Sequence, residues 1–354
     1  MSTFTDALNR LMAEQGVGVL ALAREVPCDQ GYISRLARGR QRPSIQIARR
    51  LDEVLNGNGQ LTALASRRND QPGADPDGVR ETSASLITME RRLGGDAILP
   101  AAVQSFRTAM ESAGDNHDRL AAAAEAGEVA GWVAYDAERP DVSRQLASEA
   151  LTLSREAGDR DMELFLSSHL AMLNIEQGRP ASAVRMSAAI LDTRLPPRAR
   201  AVFLIRRGRA LVRLGSTRDG LADLTRARSL VGGRPGSRDP WWTFWADESE
   251  VAWQRGTALA DLGQWRDAVP LLYDAAGTRA AGHGKRTVYH DRACLLESLV
   301  RARAWGDAVP VLGTVADSGK LIASARTTAV LRRAAAHTGN APRDLADAVR
   351  DLAA

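Results

Sequence analysis

Hydrophobic and polar positions near the amino terminus repeat at helical spacing and are interrupted by short turns. Leu22 and Val26 lie four residues apart, so a helix over residues 19–25 would place both side chains on one face. Pro27 then disfavours helical backbone in the residue before it, which ends this helix. The pattern therefore predicts a short helix followed by a tight turn.

A second short helix is predicted directly after that turn. Asp29 is a suitable N-cap residue, and Ile33 and Leu36 are spaced so that both point inward. Gly39 suits the position that follows the end of a helix. The outward face of the second helix is then expected to carry small and polar residues, namely Gln30, Gly31, Ser34 and Arg35.

The sequence Tyr-Ile-Ser-Arg-Leu, followed by Arg-Gly-x-x-Arg-Pro-Ser, resembles the lambda-repressor-like, Xre-type helix-turn-helix family. The resemblance covers roughly residues 4–65 and implies a DNA-binding domain of five helices over residues 1–65, whose second motif helix lies in the major groove of double-stranded DNA. It implies base contacts for Gln30, Gly31 and Arg35, because Gln suits adenine and Arg suits guanine. It also implies contacts to the DNA backbone for Tyr32, Ser34, Arg38, Arg40 and Arg42.

Three positions depart from the family pattern. Pro27 stands where the turn commonly has Gly, and Val19 stands where a Gln often contacts phosphate. Gly31 replaces a side chain that would often read a base. Direct readout is therefore expected to rest on two or three side chains, with a further contribution from DNA shape.

Residues 66–80 are predicted to be a flexible linker, because Pro, Gly, Asp and Asn dominate this stretch and apolar residues nearly vanish. The following segment, 81–354, is helical in pattern, and strictly alternating β-branched runs are missing from it. An internal repeat is visible within it, since residues 263–272 match residues 303–312 at an offset of 40. Repeats of this period indicate stacked helical hairpins.

Small residues recur at the places where two helices of a hairpin would cross. Gly208, Gly215, Gly220 and Ala227 have this spacing, which resembles tetratricopeptide repeats. We expect about five hairpins between residues 118 and 318, with further helices near 80–113 and 321–353 that would cap the stack. The predicted fold class is therefore all-α, with an α-solenoid behind the small amino-terminal domain.

Tryptophans are concentrated in one segment, at positions 241, 242, 245 and 253. One interpretation is core packing between hairpins. The other is a ligand groove on the concave face, formed by Trp242, Trp245 and Trp253 with Arg206 and Arg209 supplying charge, although an arginine run is commonly a solvated face.

Composition limits the other functions. The chain has 354 residues, 44% apolar residues and a formal net charge of +4, which fits a globular protein of two units that associates with nucleic acid. Its two cysteines and five histidines show no metal-ligand spacing, and a phosphate-binding glycine loop is missing, so neither a metal, a cofactor nor an enzyme activity is expected. Apolar runs of signal-peptide or membrane-spanning length are also missing, so we expect a cytoplasmic protein at the nucleoid, without membrane contact.

Together, the two resemblances imply a bacterial transcriptional regulator. The repeat domain is expected to form a homodimer, to bind a signalling peptide or small molecule, or both. A dimer would bind two half-sites about one helical turn of DNA apart, or a multiple of it. The alternative is an interaction scaffold whose repeats bind a partner protein and whose helix-turn-helix does not bind DNA.

Overall fold

The computed structural model describes residues 4–26, 28, 30–39, 41, 43, 45–65, 75–233, 236, 238–280 and 284–354. These residues form helices and connecting turns, without a strand, and the predicted all-α fold class is confirmed. Within the same residues, helices long and apolar enough to cross a membrane are absent.

The amino-terminal domain has the five expected helices. Their bounds are α1 (Phe4–Glu14), α2 (Val19–Glu25), α3 (Gln30–Ala37), α4 (Ile45–Leu55) and α5 (Gln60–Ala65). Leu22, Ile33 and Leu36 are completely buried in its core, as their helical spacing predicted. The turn residues Pro27 and Asp29, on which the predicted helix boundaries depended, lie outside the described residues.

The predicted linker extends too far toward the carboxyl terminus. Helix α6 begins at Pro76, so residues 76–80 are helical and do not belong to a flexible linker. Pro at the first helical position costs no intrahelical hydrogen bond, and the carboxylate of Asp75 accepts a hydrogen bond from the Asp77 amide. Arg80 is buried and pairs with Asp118 at 2.6 Å, which fixes this helix to the repeat domain.

The repeat domain is a stack of helical hairpins. It begins with α6 (Pro76–Leu93) and α7 (Leu99–Glu111) and ends with α18 (Ala325–Ala335) and α19 (Arg343–Ala353). The five expected hairpins lie between them: α8 (His117–Asp136) with α9 (Pro140–Glu156), α10 (Arg160–Glu176) with α11 (Pro180–Leu191), α12 (Pro197–Arg213) with α13 (Thr217–Val231), α14 (Glu248–Asp261) with α15 (Trp265–Ala280), and α16 (Lys285–Ala302) with α17 (Trp305–Gly319). A 3₁₀-helix, Trp241–Trp245, precedes α14.

Glycines allow the two helices of a hairpin to cross closely. On α12 and α13, a Cβ added to Gly208 would lie 2.8 Å from the carbonyl oxygen of Gly220, and one added to Gly220 would lie 2.6 Å from that of Gly208. Because the clashing atoms are backbone, the two helices would have to move apart to accept a side chain.

We expect Gly208→Ala to destabilise the protein by about 1–3 kcal/mol, because the added methyl group overpacks this crossing. Gly313→Ala on α17 is the matched control, since a Cβ there has no heavy atom within 4 Å. Alanine at that helical position should stabilise by about 0.5–1 kcal/mol. Urea unfolding of both variants measures the difference, and equal midpoints would contradict the close crossing.

The last helices of the array return to its first helices, through contacts that we call the closure junction. Arg286 pairs with Glu90 at 2.6 Å, and the Ala323 amide donates to the Leu93 carbonyl at 2.8 Å. Ser324 donates to Asp136 at 3.0 Å across 188 residues of chain. The repeat array is therefore closed on itself, and its inner faces surround one space.

Candidate functional site

The inner faces of the hairpins enclose a cavity of about 1380 Å³. The first helix of each of the five hairpins contributes to its wall, as do α6, α18 and the 3₁₀-helix. Helix α3 of the amino-terminal domain also reaches it, through Gln30 and Arg35. The volume exceeds the roughly 300–1,000 Å³ that is typical of small-molecule pockets, so a ligand of several residues could fit.

Arg35 points away from its own domain, as expected, but it is not exposed to solvent. Its side chain is 6% exposed and is covered by the repeat domain, where it lies 3.5 Å from the Glu125 carboxylate. The guanidinium also lies 4.3 Å from the centre of the Trp241 ring and hydrogen-bonds to Gln41. The sequence pattern placed Arg35 correctly outside the core of its own domain, but it contained no information about the second domain that covers it.

The other predicted DNA contacts are distributed over different environments. Gln30 is half-buried, and Gly31 is buried. Tyr32 is buried in the core of the amino-terminal domain, so its expected contact with sugar or phosphate is not available in this structure. Ser34 and Arg38 are partly exposed, whereas Arg40 and Arg42 lie outside the described residues.

Most arginines in the cavity wall are held by a nearby carboxylate. Arg209, one of the predicted groove residues, donates to Gln254 and to Asp261, each at 2.9 Å. Arg279 pairs with Glu250 at 3.1 Å. Such pairing offsets part of the cost of burying charge, so these guanidinium groups are electrostatically compensated, although Arg209 Nε and two nitrogens of Arg279 have no hydrogen-bond partner.

Arg206 is the exception among the buried arginines. It is 7% exposed, lines the cavity and, alone among the buried arginines in the described part of the chain, has neither a hydrogen bond nor a carboxylate oxygen within 4.0 Å. Burial lowers the pKa of its guanidinium. Because arginine keeps its charge even so, Arg206 places an uncompensated positive charge at the cavity wall.

The tryptophan segment contributes both to the core and to the cavity wall. Trp242 is fully buried and stacks on Phe165 with ring centres 5.2 Å apart, so it belongs to the core and its expected place in the groove is corrected. Trp245 and Trp253 do line the cavity. The Trp253 indole NH is buried without a hydrogen-bond partner, and the Trp245 ring lies 5.8 Å from the Arg206 guanidinium.

Burial shifts several titratable groups of the cavity wall toward their neutral forms. It raises the pKa of Glu128 to about 8, with further increases from the charges of Glu125 and Glu90. Burial and the charge of Arg206 lower the pKa of His169 to about 3. Burial also raises the pKa of the Cys294 thiol to about 12. The cavity thus combines neutral groups with fixed arginine charges, an arrangement suited to binding.

The shift of Glu128 predicts a pH-dependent stability. An unfolded glutamate titrates near pH 4.3, and the folded group near pH 8, so the native state binds more protons between these values and loses stability as pH rises. We expect Glu128→Gln, which cannot ionise, to be more stable than the wild type at pH 8 and similar to it at pH 4. Melting temperatures at the two pH values test this, and an equal difference at both would contradict a neutral Glu128.

Groups of three or more side chains that could hold a metal ion do not occur within the described ranges. The site residues that the sequence pattern missed are Glu125 and Trp241, which contact Arg35. A signal for the cavity wall was present in α12, where Val202, Arg206 and Arg209 recur at positions i, i+4 and i+7. That spacing places the arginines on an inward helical face instead of a solvated one.

Similarity to a solved structure of a Rap protein supports the fold. Neither the family models nor the curated proteins contain a match to this chain. Among solved structures, a Rap protein complexed with competence and sporulation factor matches at a TM-score of 0.57 with 10% identity, covering 98% of this chain and 86% of that one. PlcR of Bacillus thuringiensis, solved in complex with the peptide PapR7 and DNA, has a TM-score of 0.44 with 12% identity over 79% of this chain and 95% of that one.

Proposed function

We propose that this chain is a DNA-binding transcriptional regulator whose repeat domain both binds a ligand and controls access to the DNA-reading helix. The observation that carries the proposal is the position of Arg35. This side chain, suited to guanine, forms part of the wall of the cavity in which a ligand would lie. Occupancy of the cavity and exposure of Arg35 are therefore expected to depend on each other.

Arg35 cannot contact Glu125 and a base edge at the same time. In the docked arrangement its charge is compensated by Glu125 and its planar group lies over Trp241. Binding to the major groove requires α3 to leave this surface, so the fraction of undocked protein scales the apparent affinity for DNA. A ligand that binds one of the two arrangements better shifts that fraction.

The ligand proposed for the cavity is a peptide or a small molecule. The cavity volume of about 1380 Å³ accommodates either. The Rap protein, whose fold is similar, was solved with competence and sporulation factor bound, which makes ligand binding by this kind of array a reasonable proposal. We further propose that the regulator acts in the cytoplasm as a homodimer on paired half-sites.

The experiment that tests the DNA function is recovery of bound genomic fragments, followed by titration of the recovered fragment at several salt concentrations. A regulator that contacts phosphates releases counterions, so its affinity should fall steeply as salt rises. Failure to recover any fragment, with full-length protein that is folded, would count against the proposal.

The same docking also favours a second candidate, an interaction scaffold whose amino-terminal domain has become part of the repeat domain. Burial of Arg35 under Trp241 and beside Glu125 is the observation in its favour. Salt dependence separates the two functions, because a scaffold without a phosphate-binding surface would show a slope near zero.

A further inference from the structure

Arg206 is buried in the wall of the cavity with unused hydrogen-bonding capacity. Its Nε is buried without a partner, and carboxylate oxygens within 4.0 Å are absent among the described residues. A buried unpaired charge costs several kcal/mol by general estimates, so such a group is retained where something else compensates it.

The surrounding carboxylates are committed elsewhere. Glu250 is the acidic residue whose charge acts most strongly on Arg206. Its carboxylate, however, already accepts a hydrogen bond from Gln254 at 2.7 Å and pairs with Arg279 at 3.1 Å. Glu176, which also acts on Arg206, lies 3.3 Å from Arg213. Rearrangement within the protein to pair Arg206 would therefore break an existing pair.

Besides these committed charges, Arg206 has neutral and aromatic groups near it. Trp245 lies at 5.8 Å from the guanidinium, and the buried His169, on which the charge of Arg206 acts, is uncharged at neutral pH. Trp253 adds a buried indole NH without a partner in the same wall. This part of the wall therefore offers the charge of Arg206, which lacks a carboxylate partner, and the indole NH of Trp253 beside flat aromatic surfaces.

We infer that Arg206 is the anchor for a carboxylate of the ligand, with an aromatic or aliphatic group of the same ligand packed on Trp245 and Trp253. Guanidinium binds carboxylate through two parallel hydrogen bonds, which gives both energy and orientation. A free carboxylate of this kind could belong to the carboxyl terminus of a short peptide or to a small organic acid. The regulatory role of this binding rests on the proposed function. The test below, however, measures ligand binding alone and uses no DNA.

The test compares two probes that differ in one group, N-acetylphenylalanine and N-acetylphenylalaninamide, titrated into the full-length protein by calorimetry. We expect the acid to bind at least tenfold more tightly than the amide. Arg206→Met should abolish that preference by weakening binding of the acid at least tenfold, because Met retains an apolar stem but cannot donate hydrogen bonds. Arg206→Lys retains the charge but not the two parallel donors. This variant should therefore retain part of the preference for the acid.

Arg333→Met is the matched control, because Arg333 also lines the cavity but is already paired with Glu297 at 3.0 Å. This variant should retain the preference for the acid. Melting temperatures check the fold. Arg206→Met should not lower the melting temperature, because the substitution removes a buried charge that has no carboxylate partner. Equal binding of acid and amide by the wild type, or a preference that survives in Arg206→Met, would overturn the inference.

A second pair of probes identifies the source of the carboxylate. Heptapeptide pools that end in Phe are compared as free acids and as amides. Tighter binding of the acid pool than of N-acetylphenylalanine assigns the carboxylate to a peptide, and weaker binding assigns it to a small acid, whereas loss of the acid preference in both pairs overturns the inference. A protein that shows the preference but binds no DNA would contradict only the proposed function.

Discussion

Glu125→Gln is expected to bind target DNA at least tenfold more tightly than the wild type. The substitution retains the size of the side chain but removes the charge that lies 3.5 Å from Arg35. The docked arrangement would then hold Arg35 buried without an ionic partner, and the equilibrium would shift toward undocked α3. A tenfold change corresponds to about 1.4 kcal/mol, below the roughly 3–5 kcal/mol that loss of a buried partner can cost.

The measurement is a titration of the recovered DNA fragment by fluorescence anisotropy at fixed salt. Glu149→Gln is the control, because Glu149 of α9 pairs with Arg107 of α7 at 2.6 Å and does not line the cavity. Arg35→Ala in the Glu125→Gln background should bind more weakly and should lose preference at one base pair, by about 1–3 kcal/mol. Unchanged affinity of Glu125→Gln would show that docking of α3 does not limit access to DNA.

The second large effect is expected from Gly94→Ala at the closure junction. Gly94 has φ 88°, and a Cβ there would lie 1.9 Å from the carbonyl oxygen of Ala323. The strained backbone and the backbone clash together predict a loss of about 2–5 kcal/mol in the free energy of unfolding. Opening of the junction should also expose the amides of α18 to hydrogen exchange.

Gly114→Ala separates the two causes. Gly114 also has a positive φ, 51°, but a Cβ there has no heavy atom within 4 Å. The free energy of unfolding of Gly114→Ala should therefore fall only by the cost of placing alanine in the left-handed backbone region, about 1–2 kcal/mol. If the two variants unfold at the same urea concentration, the close approach of Gly94 to Ala323 does not contribute to the stability of the protein.

Local patterns were sufficient for the helices and insufficient for the contacts between distant ones. Helical spacing placed Leu22, Ile33 and Leu36 in the core, and small residues at crossings located five hairpins. The contact of Ser324 with Asp136 spans 188 residues, and periodicity contains no information about such a pair. The repeat domain begins earlier than predicted for a local reason, since Asp75 and Pro76 together start a helix.

The candidate site shows the same division. Arg206 and Arg209 were chosen for the groove, and both line the cavity. Trp242 was placed there because it shares a segment with Trp245, yet in the 3₁₀-helix it points into the core and stacks on Phe165. The expectation that Arg35 is exposed for DNA contact required that no other part of the chain covers it. Glu125 and Trp241, 90 or more residues away in sequence, do cover it.

The closure junction has a consequence for how this protein can evolve. In an open array each hairpin contacts only its neighbours, so a hairpin can be gained or lost while the remainder keeps its fold. Here an inserted or deleted hairpin would separate Arg286 from Glu90 and Ser324 from Asp136. The number of hairpins is thus fixed by geometry, and new ligand preferences are expected to arise by substitution within the inner wall instead of by change in length.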